Sequence, residues 1–175
     1  PMVQRDQQDE AIGVIRRLLR GEERFSHKTD WFELNDVKLQ LLPLQEDLPF
    51  AVASMVSPSG MTLAGKHGTG VLSIGSMSTA GLQALPTQWG FAEDSAAKHG
   101  NSVSRDVWRV VLSWHLAESK QQAREEAKNG LLRWHNEYTV GTLMRPGAVA
   151  YDNADQAIEE MSGGDNAMAI IGTPD

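Results

Sequence analysis

Val52-Ala53-Ser54-Met55-Val56-Ser57-Pro58-Ser59-Gly60 is the stretch that decides the fold. Residues 48–56 form a short apolar run with strand character, and it stops at once in Ser57-Pro58. Ser57 is placed to be an N-cap and Pro58 to be the first helical residue, so a helix is predicted to about His67. The same grammar continues downstream. Residues 71–75 read as a second strand, followed by Ser78, a helical stretch, a loop around Pro86 and a helix over 92–99. Residues 107–117 form the third and longest strand, and Ser119 caps the next helix with Gln122 at its third position, a capping box. Ala123, Ala127, Leu131 and Trp134 are that helix's expected buried face. Strand–helix alternation of this kind predicts an α/β fold with a parallel sheet and helical crossovers.

An internal echo agrees with this. Ala64-Gly65-Lys66-His67-Gly68 and Ala96-Ala97-Lys98-His99-Gly100 close two successive helices alike. Each places cations at the negative end of the helix dipole and glycine at the left-handed terminus. Upstream, residues 4–20 form a helix with Ile12, Ile15, Leu18 and Leu19 on one face and Arg16, Arg17 and Arg20 toward water. Residues 25–45 read as a β-hairpin turning at Asn35-Asp36. Downstream, 141–150 reads as a loop, Asn153 caps a short helix through Met161 with Gly163-Gly164 behind it, and 167–171 is a last short strand.

Composition bounds the partners. The 175 residues include 41% hydrophobic and only 22% charged side chains, which suits one globular domain and argues against disorder. Sixteen basic against 23 acidic residues leave a net charge of −7, which disfavours nucleic-acid binding. No run approaches the roughly 18 apolar residues of a membrane span, and no secretory leader pattern is present. Cysteine is absent, which removes disulfides, thiolate nucleophiles and thiolate zinc sites and fits a reducing cytoplasm. A helix already under way after Pro1, and a Gly172-Thr173-Pro174-Asp175 end that reads as a helix start, are what a piece of a longer protein would show.

Two places could carry chemistry. At Ser57-Pro58-Ser59-Gly60, free backbone N–H groups, two hydroxyls and the positive end of a helix dipole converge, a physical recipe for holding phosphate. An ordinary Ser-Pro helix start that binds nothing has the same local spacing. In an α/β barrel the spot lies on the C-terminal face of the strands, where active sites occur. In the third strand, Trp108, Val110, Leu112, Trp114 and Leu116 are all apolar, so the alternate positions, including Ser113 and His115, would point into the barrel. His115 is then an active-site histidine or a structural one, and parity alone leaves both open.

Other patterns fail. Gly65, Gly68 and Gly70 precede a strand and cannot form a dinucleotide fingerprint. No Gly-x-Ser-x-Gly elbow occurs. The five histidines are too scattered for a helical metal pair, so no metal site is assigned. His67 and His99 read as helix-end caps, Glu125-Glu126 and Glu159-Glu160 as solvated faces, and Trp31, Trp89 and Trp134 as packing residues.

Taken together, these residues resemble the bacterial luciferase-like flavin-dependent monooxygenases, of the limonene-monooxygenase type. The likeness rests on Asp30-Trp31-Phe32-Glu33-Leu34 with Leu39-Gln40-Leu41-Leu42-Pro43, on 52–60, on His115-Leu116-Ala117-Glu118-Ser119 and on Gly172-Thr173-Pro174. The stretch 52–60 is the most specific of them. The resemblance implies a partial (β/α)8 barrel, roughly strands 5–7 with their helices plus a hairpin excursion. Residues 1–175 would be one incomplete domain, with strands 1–4 and the final strand and helix lying elsewhere. It further implies that Ser57, Ser59 and Gly60 lie in the phosphate region of reduced FMN, with Ser54 and Met55 flanking the phosphate or ribityl chain. The family pattern carries an acidic residue near Ser54, where this chain has serine. The implied activity is oxygenation of a small, apolar organic molecule with O2, His115 being the catalytic candidate. A flavin reductase would supply the reduced cofactor, and the whole protein would be a homo-oligomer. The rivals are a relative that transfers hydride with the deazaflavin F420 and a non-catalytic flavin-binding member. The piece alone is expected to lack activity, because the missing strands would carry much of the ring pocket.

Overall fold

Helix α1 (Met2–Leu19) buries Ile12 and Val14, while Ile15, expected on the same face, is exposed. In the computed structural model, which describes residues 2–46, 48–74, 79–163 and 167–175, seven strands and five α-helices follow one another in mixed α/β order. Two compact units can be distinguished, Pro1–Leu72 with Thr87–Arg109, and Ser73–Pro86 with Val110–Asp175. Among the described residues, no helix is long and apolar enough to cross a membrane.

In the first unit, the end of α1 is held by side chains. Arg17, expected toward water, is partly exposed, pairing with Glu22 at 2.7 Å and stacking its guanidinium 3.7 Å from the centre of the Phe25 ring. Next come β1 (Phe25–Lys28) and β2 (Glu33–Val37), an antiparallel pair, so the hairpin is present. Its turn, however, lies at residues 29–32. The Thr29 hydroxyl accepts from the N–H groups of Trp31 and Phe32, and the Thr29 N–H donates to Phe32 O at 2.9 Å. Asn35 and Asp36 sit inside β2. Asp36 adopts a left-handed φ of 50°, and the register slips opposite it between Phe25 and His27. Left-handed residues serve bulges as well as turns, which is why the Asn-Asp signal was real but belonged to a bulge.

β3 (Ala51–Ser54), α2 (Ser59–His67) and β4 (Gly70–Ser73) follow, with β4 at the centre of a three-stranded sheet between β3 and β5 (Arg109–Val110). The strand end expected at Gly75 and the helix start at Ser78 lie outside the described residues. Helix α3 runs unbroken over Thr79–Lys98, with Pro86 inside it where a loop was expected. An internal proline costs a helix about 3 kcal/mol. Against that, Trp89, Ala92 and Ala96 are each almost completely buried, and Val52, Met61, Ala64, Val71, Trp89 and Ala92 join Ile12 in one cluster. Trp89 also stacks on Trp108, ring centres 4.7 Å apart. Burying several apolar side chains at roughly 1.5–3 kcal/mol for a large one outweighs one proline.

The helix-end echo is borne out in its glycines: Gly68 and Gly100 have φ of 60° and 69°. The two histidines differ. His99 Nδ1 lies 2.8 Å from Ser95 O, a helix-end contact as expected. His67 instead reaches α1: Asp9 takes His67 Nε2 at 2.6 Å on one carboxylate oxygen and Lys66 Nζ on the other. Burial alone would raise the Asp9 carboxyl, but the hydrogen bonds and charges of Lys66 and His67 outweigh it and hold it below its ordinary value.

The third strand is not continuous. A 3₁₀ turn (Arg105–Val107) capped by Ser104 precedes β5 (Arg109–Val110), and β6 (Trp114–Leu116) comes after a gap. In the second unit β6 pairs with β7 (Ile170–Gly172) in parallel, Trp114 opposite Ile170 and Leu116 opposite Gly172. Helix α4 (Lys120–Arg133) starts as expected, Ser119 Oγ accepting the Gln122 N–H at 3.2 Å, but the Gln122 amide turns to Glu126, so the box is half formed. α4 passes directly into a π-helix (Trp134–Thr142). The wider turn re-phases the chain, so that His135 and Thr139 are buried and Trp134, expected on the buried face, is exposed. Helix α5 (Ala154–Ser162) is capped by Asn153 and packs Ala157, Ile158 and Met161 inward, while Arg124–Glu159 at 2.6 Å and Lys128–Asp155 at 3.0 Å bridge it to α4. Gly164, expected behind it, is outside the described residues.

Candidate functional site

The chain between β3 and α2 contains no titratable side chain: Met55, Val56, Ser57, Pro58. Pro58 has helical angles (φ −62°, ψ −16°), and its carbonyl accepts the Thr62 N–H at 2.9 Å. Its ring pre-sets the first turn, as the sequence implied. Ser57 does not cap. Its hydroxyl meets the Ser59 hydroxyl at 2.9 Å, and α2 has no side-chain cap. The leading N–H groups of α2 are therefore not satisfied by a side chain, and they stand at the positive end of the helix dipole beside two hydroxyls. One hydroxyl of such a pair donates to the other, leaving one O–H free for a ligand.

The five positions predicted for this region divide by depth. Ser57 is exposed and Ser59 half-buried, at the mouth. Met55 is 53% exposed. Ser54 is completely buried, its hydroxyl only weakly placed toward Met55 O at 3.4 Å, so it lies beneath the mouth. Gly60 explains that depth. A Cβ there would fall 2.7 Å from Ala53 O and 2.9 Å from Ser54 Cβ. Only glycine lets the start of α2 press so closely on the end of β3.

Sequence reasoning missed Gln88 of α3. Its side chain, 4% exposed, sends Nε2 to Met55 O at 3.0 Å and to Val56 O at 2.5 Å. The only available signal was a glutamine beside Trp89 on a helix whose neighbours are apolar.

His115, the sixth predicted residue, lies in the second unit on β6. Nε2 is 2.8 Å from Glu126 Oε2, so the ring is turned to α4. The parity reading, which gave the helix side to Trp114, fails here, because alternation carries only along an unbroken strand and this one is interrupted between Val110 and Trp114. Trp114 is 68% and its partner Ile170 53% exposed, together forming an apolar face away from α4. A carboxylate only accepts, so Nε2 carries the N–H and neutral His115 keeps Nδ1 as an acceptor. The Gln122 amide and His115 together hold the Glu126 carboxyl below its ordinary value.

A separate cleft of about 360 Å³, lined by Arg16, Arg20, Phe50, Thr69 and Arg109 among others, opens at the start of β3, the opposite end of that strand from Ser57. None of the predicted site residues lines it. Among the described residues, no three His, Asp or Glu side chains gather as a metal site would require.

The fold is mixed α/β, and the uncapped, hydroxyl-bearing start of α2 after β3 has the chemistry to accept an anion. Residues 4–175 match the luciferase-like monooxygenase family, and the chain belongs to it. It is 43% identical over 169 residues to 4-hydroxyprotoasukamycin monooxygenase of Streptomyces nodosus subsp. asukaensis, covering 95% of this chain and 45% of that protein. It is 39% identical over 175 residues to limonene 1,2-monooxygenase of Rhodococcus erythropolis, covering 100% of this chain and 43% of that one. The chain thus spans a little under half the length of these relatives. Among solved structures it superimposes on monooxygenase RslO1 of Streptomyces bottropensis with a TM-score of 0.64 at 23% identity, over 95% of this chain and 46% of that one. An F420-dependent secondary alcohol dehydrogenase in complex with an F420–acetone adduct gives 0.60 at 20% identity, over 95% and 49%. The oxygenating constituent of 3,6-diketocamphane monooxygenase from Pseudomonas putida, in complex with FMN, gives 0.53 at 21%, over 79% and 40%. At these identities the structural likeness concerns the fold.

Proposed function

We propose that this chain is part of a reduced-FMN-dependent monooxygenase and supplies its phosphate site from Ser57, Ser59, Gly60 and the adjoining loop. The observation that carries the proposal is the open start of α2: side-chain-uncapped N–H groups and a paired hydroxyl at the end of β3, without a carboxylate in the loop to repel an anion. Family membership and the two monooxygenase relatives support the reaction class. The chain then forms one incomplete domain, a stretch of a (β/α)8 barrel around strands 5–7 with β1–β2 as an excursion. Barrel strands carry their sites at the C-terminal ends, which is where the Ser57 loop follows β3.

FMN would be held by its phosphate on the Ser57 and Ser59 hydroxyls and the N–H groups of Ser59 and Gly60. Met55, exposed next to them, would cover the ribityl chain, and Ser54 would act from beneath by seating Gly60. When bound and reduced, the flavin supplies the two electrons with which O2 is divided between product and water. The Trp114–Ile170 face offers an apolar wall suited to a small organic substrate, while His115, turned to α4, bears on that wall only by fixing β6 against α4 through Glu126. A flavin reductase as partner, a homo-oligomeric state and a cytoplasmic location complete the reading. F420 remains the rival cofactor, and mass spectrometry of what the full-length protein carries distinguishes the two.

Replacing both Ser57 and Ser59 with alanine in the full-length protein removes one or two hydrogen bonds to a charged group, at about 1.5–3 kcal/mol each. FMN affinity should fall by about tenfold or more in a fluorescence titration. An unchanged affinity removes the site from the account.

A further inference from the structure

Gln88 spends both N–H bonds of its amide on two successive backbone carbonyls, Met55 O at 3.0 Å and Val56 O at 2.5 Å, while 4% exposed. That arrangement fixes more than the carbonyls. Each carbonyl shares a planar peptide with the next residue's N–H, and in a trans peptide the two point opposite ways. No cis peptide occurs among the described residues. With Met55 O and Val56 O both drawn toward α3, the N–H groups of Val56 and Ser57 are both turned away from it. Val56 and Ser57 are exposed, and among the described residues neither N–H donates to a turn, loop or side-chain acceptor. Successive backbone N–H groups turned to one side form an anion-binding concavity, and here it would adjoin the uncapped start of α2.

We infer that Gln88 is a positioning residue for the phosphate site: from beneath, it turns the Val56 and Ser57 N–H groups outward so that the site extends from the helix start back through the loop. The inference rests on the phosphate reading given above and adds a buried side chain of another helix to it. It also accounts for a buried polar group on the same helix as the core residues Trp89 and Ala92, where burying an amide is costly unless its hydrogen bonds are made. A leucine or methionine would pack there without that requirement.

The test compares FMN with riboflavin, which lacks the phosphate, in fluorescence titrations of the full-length protein. Gln88→Met keeps the side-chain length and removes both donors. The loop carbonyls lose their anchor, and FMN affinity should fall roughly ten- to a hundredfold, the scale of two lost hydrogen bonds. Riboflavin affinity should stay within about twofold, because only phosphate reads the loop N–H groups. A variant that keeps the wild-type ratio of the two affinities, by retaining both or losing both equally, overturns the inference and leaves Gln88 a packing residue. If Gln88→Met does not fold, Gln88→Glu answers the same question. Burial raises the new carboxyl above the ordinary Glu value; protonated it can donate one bond and ionised none, so the preference for FMN should fall as pH rises through that raised value. In the wild type the second ionisation of the phosphate, near pH 6, acts in the opposite direction. A Gln88→Glu protein that follows the wild-type profile overturns the inference. A wild type that binds riboflavin as well as FMN fails the phosphate reading itself, and the inference with it, whatever the variants do.

Discussion

Gly60→Ala tests the contact that sets the site's depth. The added methyl would come 2.7 Å from Ala53 O, 2.8 Å from Ser54 Cα and 2.9 Å from Ser54 Cβ, where ordinary contact begins at 3.4 Å. The worst of these is 0.7 Å too short (3.4 less 2.7), and Ala53 O belongs to the strand backbone, so no rotamer change can relieve it. The start of α2 must lift from β3 by several tenths of an ångström. Such overpacking costs about 1–3 kcal/mol. Alanine at a helical position returns about 0.5–1 kcal/mol relative to glycine, so the clash wins by about 1–2 kcal/mol. The full-length protein should lose a few degrees of thermal stability, at roughly 2–4 °C per kcal/mol for a domain of this size. FMN affinity should fall with it, because the N–H groups of Ser59 and Gly60 move with the helix while the loop stays anchored by Gln88. Calorimetry and an FMN titration on the same preparation decide the matter. A Gly60→Ala protein that melts at or above the wild-type temperature and binds FMN normally would refute the close-approach argument and the site built on it.

Asp9→Asn should lower the melting temperature at neutral pH, and the difference from wild type should disappear below about pH 4. The folded Asp9 carboxyl lies below its ordinary value, so its contribution is present above the unfolded pKa and is lost as pH falls through the folded one; a difference that persists in acid would contradict the Asp9–Lys66–His67 linkage. His115→Asn should lower stability by at most about 1 kcal/mol, the scale of an exposed ion pair, and leave turnover close to wild type, because the ring faces α4 and not the Trp114–Ile170 side. A large loss of turnover at unchanged stability would return His115 to the active site.

What could be read in advance was local. Ser119, Asn153 and Gly68 announce helix boundaries through side-chain or left-handed contacts spanning only a few residues, and each was found where the sequence placed it. The helix start at Pro58 was legible for the same reason, since a strand, a Ser-Pro pair and a helix start are adjacent in the chain. Errors arose wherever distant packing set the outcome. Pro86 reads as a loop until the burial of Trp89, Ala92 and Ala96 is counted. The parity of 107–117 held at Trp108, which stacks on Trp89, and failed at Trp114 beyond a break that apolar composition alone could not show. Asp36 carried a true signal for left-handed backbone but not for which of two structures would use it.

Gln88 is the sharpest case, because its contact to the loop spans 32 and 33 residues and joins a side chain to backbone carbonyls. Carbonyls exist at every position, so nothing in residues 52–60 asks for a glutamine, and nothing around Gln88 identifies its acceptors. The loop's residue types make phosphate binding chemically possible, whereas the direction in which its N–H groups point is set from another helix. Substitutions at Ser57 and Ser59 therefore remove donors, while a substitution at Gln88 leaves every donor in place and changes only its aim. If FMN affinity responds to the serines and not to Gln88, the loop holds its conformation unaided and the helix start is the whole site.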